Sequence, residues 1–362
     1  MNTVRPGVYR GVSKDAYHHG PGDSKSGLDL VHKAPINLHA VRTGAVERKP
    51  TPAQALGTAF HALVLEPEVF AAEYALPFVP PTGALCTVDD IKTALSEAGA
   101  VFKASAKKAD LETIVRMELP DAVLLTDASD AYDAENADRQ VIGLDDWDRL
   151  HRMRDAVMAH PAARKLLSAP GESELSAYWY EPVVDLKTGE QLLNEDGTPA
   201  ELLLRCRPDK WRYDGILIDL KSTSPGGASP DAFAKSIHDW RYHVQHPMYL
   251  RGAGEALKAA DRDDCADGMA ADFERFQPPR AFVFIAVEND ACVVDGIAKG
   301  VGVYQLQPDS VALGVAEMRE DIATLHACTQ ANRWPGYSDL VQPIELPPYA
   351  FTKAAARMGA TD

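Results

Sequence analysis

Several things are missing from this 362-residue sequence, and each absence narrows what it can be. No run of about 20 apolar residues is present to cross a bilayer. The opening, MNTVRPGVYRGVSKDAYHHG, lacks the apolar stretch of a secretory signal, so the expectation is a cytoplasmic protein without membrane contact. Cysteine is scarce and scattered: Cys86, Cys206, Cys265, Cys292 and Cys328 are odd in number and form no C-x-x-C pair. Neither a disulfide framework nor a zinc site follows from that spacing. Positive charge is also short, since 37 Lys and Arg against 53 Asp and Glu leave a formal net charge of −16. A protein that coats nucleic acid by general basicity is thereby disfavoured. An enzyme with a locally positive groove is not, because local potential outweighs the sum.

What is present concentrates in one stretch, Arg205 to Ser224, which reads RCRPDKWRYDGILIDLKSTS. Two strand-like runs flank an Asp-Gly turn signal, so a β-hairpin is expected. Side chains alternate faces along a strand, which sends Ile216, Ile218 and Leu220 into a core and Asp219 and Lys221 together to the other side. A turn centred near Asp214 sets Asp209 opposite Asp219, where cross-strand neighbours stand about 5 Å apart. Two carboxylates that close repel unless a cation lies between them. A hard divalent ion with oxygen ligands answers that need.

Around this hairpin the chain reads as alternating helices and strands. Ala53 to Glu66 has helical spacing, with Leu56, Phe60, Leu63 and Val64 on one face and Gly57 one turn before His61. A proline-rich break near residue 80 introduces a segment in which Thr87 and Asp90 form a capping pair ahead of Ile91 and Leu95. Lys103, Lys107 and Lys108 follow in a loop, and then a second helix through Leu111 and Val115. This segment resembles helix-extended-loop-helix modules related to SAP domains. An acidic, alanine-rich linker follows at 126–140, and then a helix pair over Asp145 to Leu167, broken at His160-Pro161. Strands are expected over Glu174–Val184, Arg280–Glu288 and Val301–Leu306, and helices over Pro230–Leu257 and Pro308–Arg333. The expected fold is α/β, a central mixed sheet flanked by helices with a small helical insertion. Residues 1–79 form its N-terminal helical part, 80–140 the insertion, 141–340 the core with the hairpin, and 341–362 a tail.

The order His61, Asp209, Asp219-Leu220-Lys221, Gln245-x-x-x-Tyr249 resembles the PD-(D/E)xK nuclease superfamily in its RecB-like branch. The blocks YHHGPGDSKSGLDL, GTAFHALVLEP, GESELSAYWY, RCRPDKW, IDLKST and WRYHVQHPMYL are similar to the RecE-type exonuclease catalytic domain. The resemblance implies a restriction-endonuclease-like core and a DNA exonuclease dependent on Mg²⁺, with Mn²⁺ as a substitute. His61, Asp209, Asp219 and the backbone carbonyl of Leu220 would be metal ligands. Glu174 is either a further ligand or an edge-strand surface carboxylate. Lys221 would orient the attacking water or stabilise phosphate charge, a choice the sequence leaves open. Gln245 and Tyr249, four apart, share a helix face beside the site, provided the helix begins near His243 so that Pro247 falls in its first turn. Arg205, Arg207, Lys210 and Arg212 are expected on DNA phosphates, and Ser24 and Lys25 at a 5′ end.

The implied substrate is the end of linear double-stranded DNA, degraded 5′→3′ to leave 3′ tails for recombination. A homo-oligomeric ring, such as a tetramer, and a single-strand annealing protein are the implied partners. Two other readings remain. A related RecB-like nuclease carrying an iron–sulfur cluster needs clustered cysteines that the spacing of Cys265, Cys292 and Cys328 does not supply, so no such cluster is expected. A non-catalytic DNA-end-binding module would have lost an aspartate or the lysine.

Overall fold

A computed structural model describes residues 4–47, 49–260, 274–347 and 351. Cys265 and most of the tail from 348 lie outside the described residues. The N-terminal part contains β1 (Gly7–Tyr9), α1 (Lys14–His19), α2 (Lys25–Lys33), α3 (Pro35–Arg42), α4 (Pro52–Leu65) and α5 (Pro67–Glu73). Then come β2 (Tyr74–Ala75), α6 (Val88–Glu97), α7 (Lys108–Glu118), α8 (Leu125–Glu135) and β3 (Gln140–Val141). The helix pair α9 (Leu144–Ala159) and α10 (Pro161–Leu167) leads into β4 (Gly171–Ser173), β5 (Ser176–Pro182), β6 (Glu201–Cys206), β7 (Lys210–Arg212) and β8 (Ile216–Thr223). Last are α11 (Pro230–Asp239), α12 (Tyr242–Ala260), β9 (Ala281–Val294), β10 (Ile297–Tyr304) and α13 (Pro308–Ala331).

The main sheet runs in the order β10-β9-β8-β7-β4, and a smaller sheet runs β1-β5-β6. In the main sheet β8 and β9 are parallel and the other pairs antiparallel, so the sheet is mixed as expected. Both of its faces are covered. Leu217 of β8 and Phe282 and Phe284 of β9 pack into a core shared with the small sheet, α12 and α13. Ile218, Leu220, Ile285 and Val287 pack on the opposite face against α4 and α9. Burial on both faces corrects the picture of a hairpin with one solvent side: Asp219 is only 2% exposed.

The capping pair Thr87–Asp90 closes as expected at the start of α6, and a second box outside those expectations, Thr51 with Gln54, opens α4. His160 caps α10 with its ring nitrogen, which accepts from the Ala163 N–H. Two readings change. The acidic stretch after 126 is not a linker but mostly the helix α8, with no buried residue of its own. Glu174 is not in a strand; it is a corner between β4 and β5 with φ 55°. Ile91, Leu95, Leu111, Val115 and Leu124 form a small core separate from the other two. Among the described residues, no helix is long and apolar enough to cross a membrane.

Candidate functional site

Strand pairing brings the acidic residues together. The β7–β8 register sets Lys210 opposite Ile218 and Trp211 opposite Leu217, and one step further puts Asp209 opposite Asp219. On the other edge of β7, Ser173 faces Lys210, so the next residue, Glu174, arrives beside Asp209. The Glu174 N–H donates to the Asp209 carbonyl at 3.2 Å, which fixes the two chains at this point.

The third contributor comes from α4. Gly57 faces β8, where a Cβ would stand 3.3 Å from the Ser222 hydroxyl, so the helix can lie close to the strand end. One turn later, His61 Nδ1 lies 3.5 Å from Asp209 Oδ2. His61, Glu174 and Asp209 each offer a ligand atom, and these atoms all lie within 4.8 Å of one another. One imidazole nitrogen and two carboxylates form a donor set suited to Mg²⁺ or Mn²⁺. Asp219 stands beside this trio rather than in it. Its Oδ1 accepts from Gln245 Nε2 at 2.5 Å, and its Oδ2 lies 2.7 Å from Lys221 Nζ. The Leu220 N–H donates to Asp209 Oδ2 at 2.5 Å. In an extended strand a residue's carbonyl leaves on the same edge as its N–H, so the Leu220 carbonyl faces this cleft too.

The electrostatics are those of crowded acids next to few cations. Burial pulls the His61 imidazole down, but the Asp209 carboxylate outweighs it and holds the ring above its ordinary range. Burial would raise Asp209, yet His61, Lys221 and the Leu220 N–H keep it below the usual carboxylate value. Glu174 is pushed up to about 7 by burial and by the neighbouring Asp209. Asp219 is also raised, by burial and then by Asp209, with Lys221 opposing. Burial disfavours the Lys221 ammonium, but Asp219 and the Tyr242 and Asp209 oxygens more than restore it, so the lysine stays charged. A cation among these carboxylates relieves the same strain, so the residues fit a divalent ion.

Gln245 and Tyr249 share one side of α12 as expected. Gln245 is buried on Asp219, and Tyr249 packs edge-on to Phe282 at 5.8 Å. The helix starts at Tyr242, which places Pro247 just beyond its first turn. The four basic residues expected on DNA are occupied within the protein. Arg205 donates to the carbonyls of His18, Gly20 and Pro21, and Arg207 to the Val12 carbonyl and the Ser176 hydroxyl. Lys210 donates to the Leu167 carbonyl, and Arg212 to Asp214. Their charge serves the fold: strand pairing turned these donors inward, toward carbonyls of neighbouring loops. Lys25 likewise donates to the Trp240 carbonyl and pairs with Asp29 at 2.8 Å.

Tyr242 gave no sequence signal, and Arg207, expected on DNA phosphates, turns instead toward Glu174. Tyr242 lays its ring 4.6 Å from Lys221 Nζ. Arg207, stacked on Tyr17 at 4.2 Å, brings a guanidinium nitrogen to 3.9 Å from Glu174. Each depends on a contact between distant segments.

The fold and this cleft agree with the family to which the sequence is matched. Residues 24–347 match a PDDEXK-like domain of unknown function, DUF3799, and the chain belongs to that family. The literal signature is present as Pro208-Asp209 and Asp219-Leu220-Lys221. Among solved structures, a candidate exonuclease from Eubacterium rectale aligns over 97% of this chain and 98% of its own, with a TM-score of 0.45 and 9% identity. No curated protein matches the sequence.

Proposed function

We propose that this protein is a metal-dependent nuclease that hydrolyses phosphodiester bonds of DNA. The observation that carries the reading is the convergence of His61, Glu174 and Asp209 beside the Asp219–Lys221 pair, in a chain of the PDDEXK-like family. His61, Glu174 and Asp209 would hold Mg²⁺, with Mn²⁺ as a substitute, and Asp219 and the Leu220 carbonyl would complete the ligand set. When bound, the ion supplies a polarised phosphoryl oxygen and a more acidic water. Lys221, held charged by Asp219, is within reach of the same cleft and orients the attacking water or neutralises charge gathering on the phosphate. Gln245 keeps Asp219 aimed at Lys221. Tyr249 closes the apolar side of the site.

The finer reading follows the resemblance to RecE-type enzymes. It is a 5′→3′ exonuclease on linear duplexes that leaves 3′ tails for recombination, working as a homo-oligomeric ring beside a single-strand annealing protein. Digestion of duplexes labelled at one end, with and without a 5′-phosphate, tests it. Cleavage of linear DNA in Mg²⁺ is expected to stop with chelator and to spare covalently closed circles. Asp219→Ala should lower the rate by roughly 10³-fold while DNA binding persists. A wild-type protein that binds DNA ends but cuts nothing in Mg²⁺ or Mn²⁺ would instead be an end-binding module.

A further inference from the structure

Five tryptophans occur in the chain, and one of them is displayed to solvent. Trp179 and Trp211 are buried, and Trp147 and Trp334 are half-buried against neighbouring rings. Trp240 is 64% exposed, and its indole packs on no other ring among the described residues. A single exposed apolar side chain is ordinary on a protein surface and by itself marks nothing. Trp240 is set apart by the way its backbone is held.

It caps the C-terminal end of α11, where the chain turns sharply into α12. The turn needs left-handed backbone at Arg241, φ 53°, a conformation unfavourable to any side chain but glycine. Arg241 is retained there by three carboxylates from two helices. Its guanidinium reaches Asp321 at 2.6 Å, Glu317 at 3.0 Å and Asp29 at 3.1 Å. Lys25 ties down the carbonyl of Trp240 itself. Backbone strain held in place by a network of this kind clusters at functional sites.

The turn also belongs to the catalytic neighbourhood. Tyr242, two residues on, sets its ring between Lys221 Nζ at 4.6 Å and Lys25 Nζ at 5.5 Å. Two residues span at most about 7 Å of chain. Trp240 therefore sits two residues from the ring that touches Lys221, with the half-buried Lys25 bonded to its own carbonyl, on a chain of net negative charge.

We propose that Trp240 is a base-stacking platform: its indole takes the face of an unpaired or frayed nucleobase of the strand whose phosphate enters the cleft. The inference rests on the nuclease reading above. A flat exposed ring beside cations is the arrangement by which proteins hold single-stranded DNA without reading its sequence. Holding the backbone beforehand lowers the ordering cost of a stack. Protein partners fit less well, since nothing apolar of similar size accompanies Trp240 on this turn: Asp239 and His238 flank it and are exposed.

The test is a titration of the whole protein with a (dT)15 oligonucleotide in chelator, read by tryptophan fluorescence and by anisotropy of labelled DNA. Wild type should be quenched on binding. Trp240→Phe should lose the quench and keep near wild-type affinity, because phenylalanine still stacks. Trp240→Ala should bind roughly tenfold more weakly, the scale of one lost base–aromatic stack. Quenching that persists in Trp240→Phe, or wild-type affinity in Trp240→Ala, overturns the proposal. So does a Trp240→Ala protein whose DNA affinity is unchanged but whose mass by light scattering has fallen, which would make the ring a contact between copies. A wild-type protein that neither binds nor cuts any DNA refutes the nuclease reading itself, a result distinct from the others.

Discussion

Glu174 occupies left-handed backbone while its carboxylate crowds Asp209. Both features cost stability, and in the metal-free fold the attraction of His61 and Arg207 offsets only part of the carboxylate's cost. In chelator at pH 8, where the carboxylate is charged, Glu174→Gln should melt at a higher temperature than wild type, because the repulsion with Asp209 is gone. The same change should weaken Mn²⁺ binding by roughly tenfold or more, measured by calorimetry. Opposite signs in the two measurements distinguish a ligand from a surface carboxylate. His246 offers a separate residue-scale test. It is buried, its Nδ1 has no hydrogen-bond partner, and burial holds the imidazole down to about 4. A histidine whose folded pKa is depressed contributes stability fully present above about pH 6.5, and that stability is lost as pH falls toward 4. Between pH 7.5 and 5 wild type should lose about 2 kcal/mol more than His246→Leu, read by urea unfolding.

At the scale of elements, α12 carries most of the positioning. It brings Gln245 to Asp219 and Tyr242 to Lys221 while packing on α13. Pro247 inside this helix cannot donate to the His243 carbonyl. Gly314 of α13 sits at that carbonyl, and a Cβ there would lie 1.9 Å from the His243 oxygen. The proline and the glycine thus share one tight crossing. Gly314→Ala must push α12 aside, with an expected loss of about 3 kcal/mol in denaturant titration. The displacement would also draw Gln245 from Asp219, so the cleavage rate should fall with the stability.

Across the whole molecule, the helical insertion and the catalytic core are built as separate packing units. The insertion has its own core, and it leaves and rejoins the chain at β2 and β3, which pair directly with Tyr74 opposite Gln140. The two strands are parallel, so a replacement must run back along the pair, a return that takes about a dozen residues. Replacing residues 77–138 by a Gly/Ser linker of about twelve residues should therefore leave a folded protein that cuts DNA at roughly the wild-type rate. Collapse of the core in circular dichroism would mean that the insertion supports it. The charge balance belongs to this scale as well. Arg205, Arg207, Lys210 and Arg212 looked like a DNA-facing surface, but the fold spends them on loop carbonyls and nearby acids, and the exterior keeps its acidic character.

By itself the sequence determined the local pieces, because they depend on short-range chemistry. Alternation along β8 and the Asp-Gly turn fixed the register that sets Asp209 opposite Asp219. The Thr87–Asp90 capping pair fixed where α6 begins, and the notch at Gly57 marked the face on which His61 approaches. Tertiary structure decided everything that needed two distant segments to meet. Glu174 became a neighbour of Asp209 only through the pairing of β4 with β7, and its left-handed corner has no signature in Glu-Ser-Glu-Leu-Ser. Asp219 lost its place in the tightest ligand group because Gln245 and Lys221 hold its oxygens. Arginines that read as a surface were drawn inward, and a lone tryptophan was lifted out by an arginine bound to carboxylates from α2 and α13. Local chemistry names the groups; long-range packing chooses which of them share a cleft and which way each one faces.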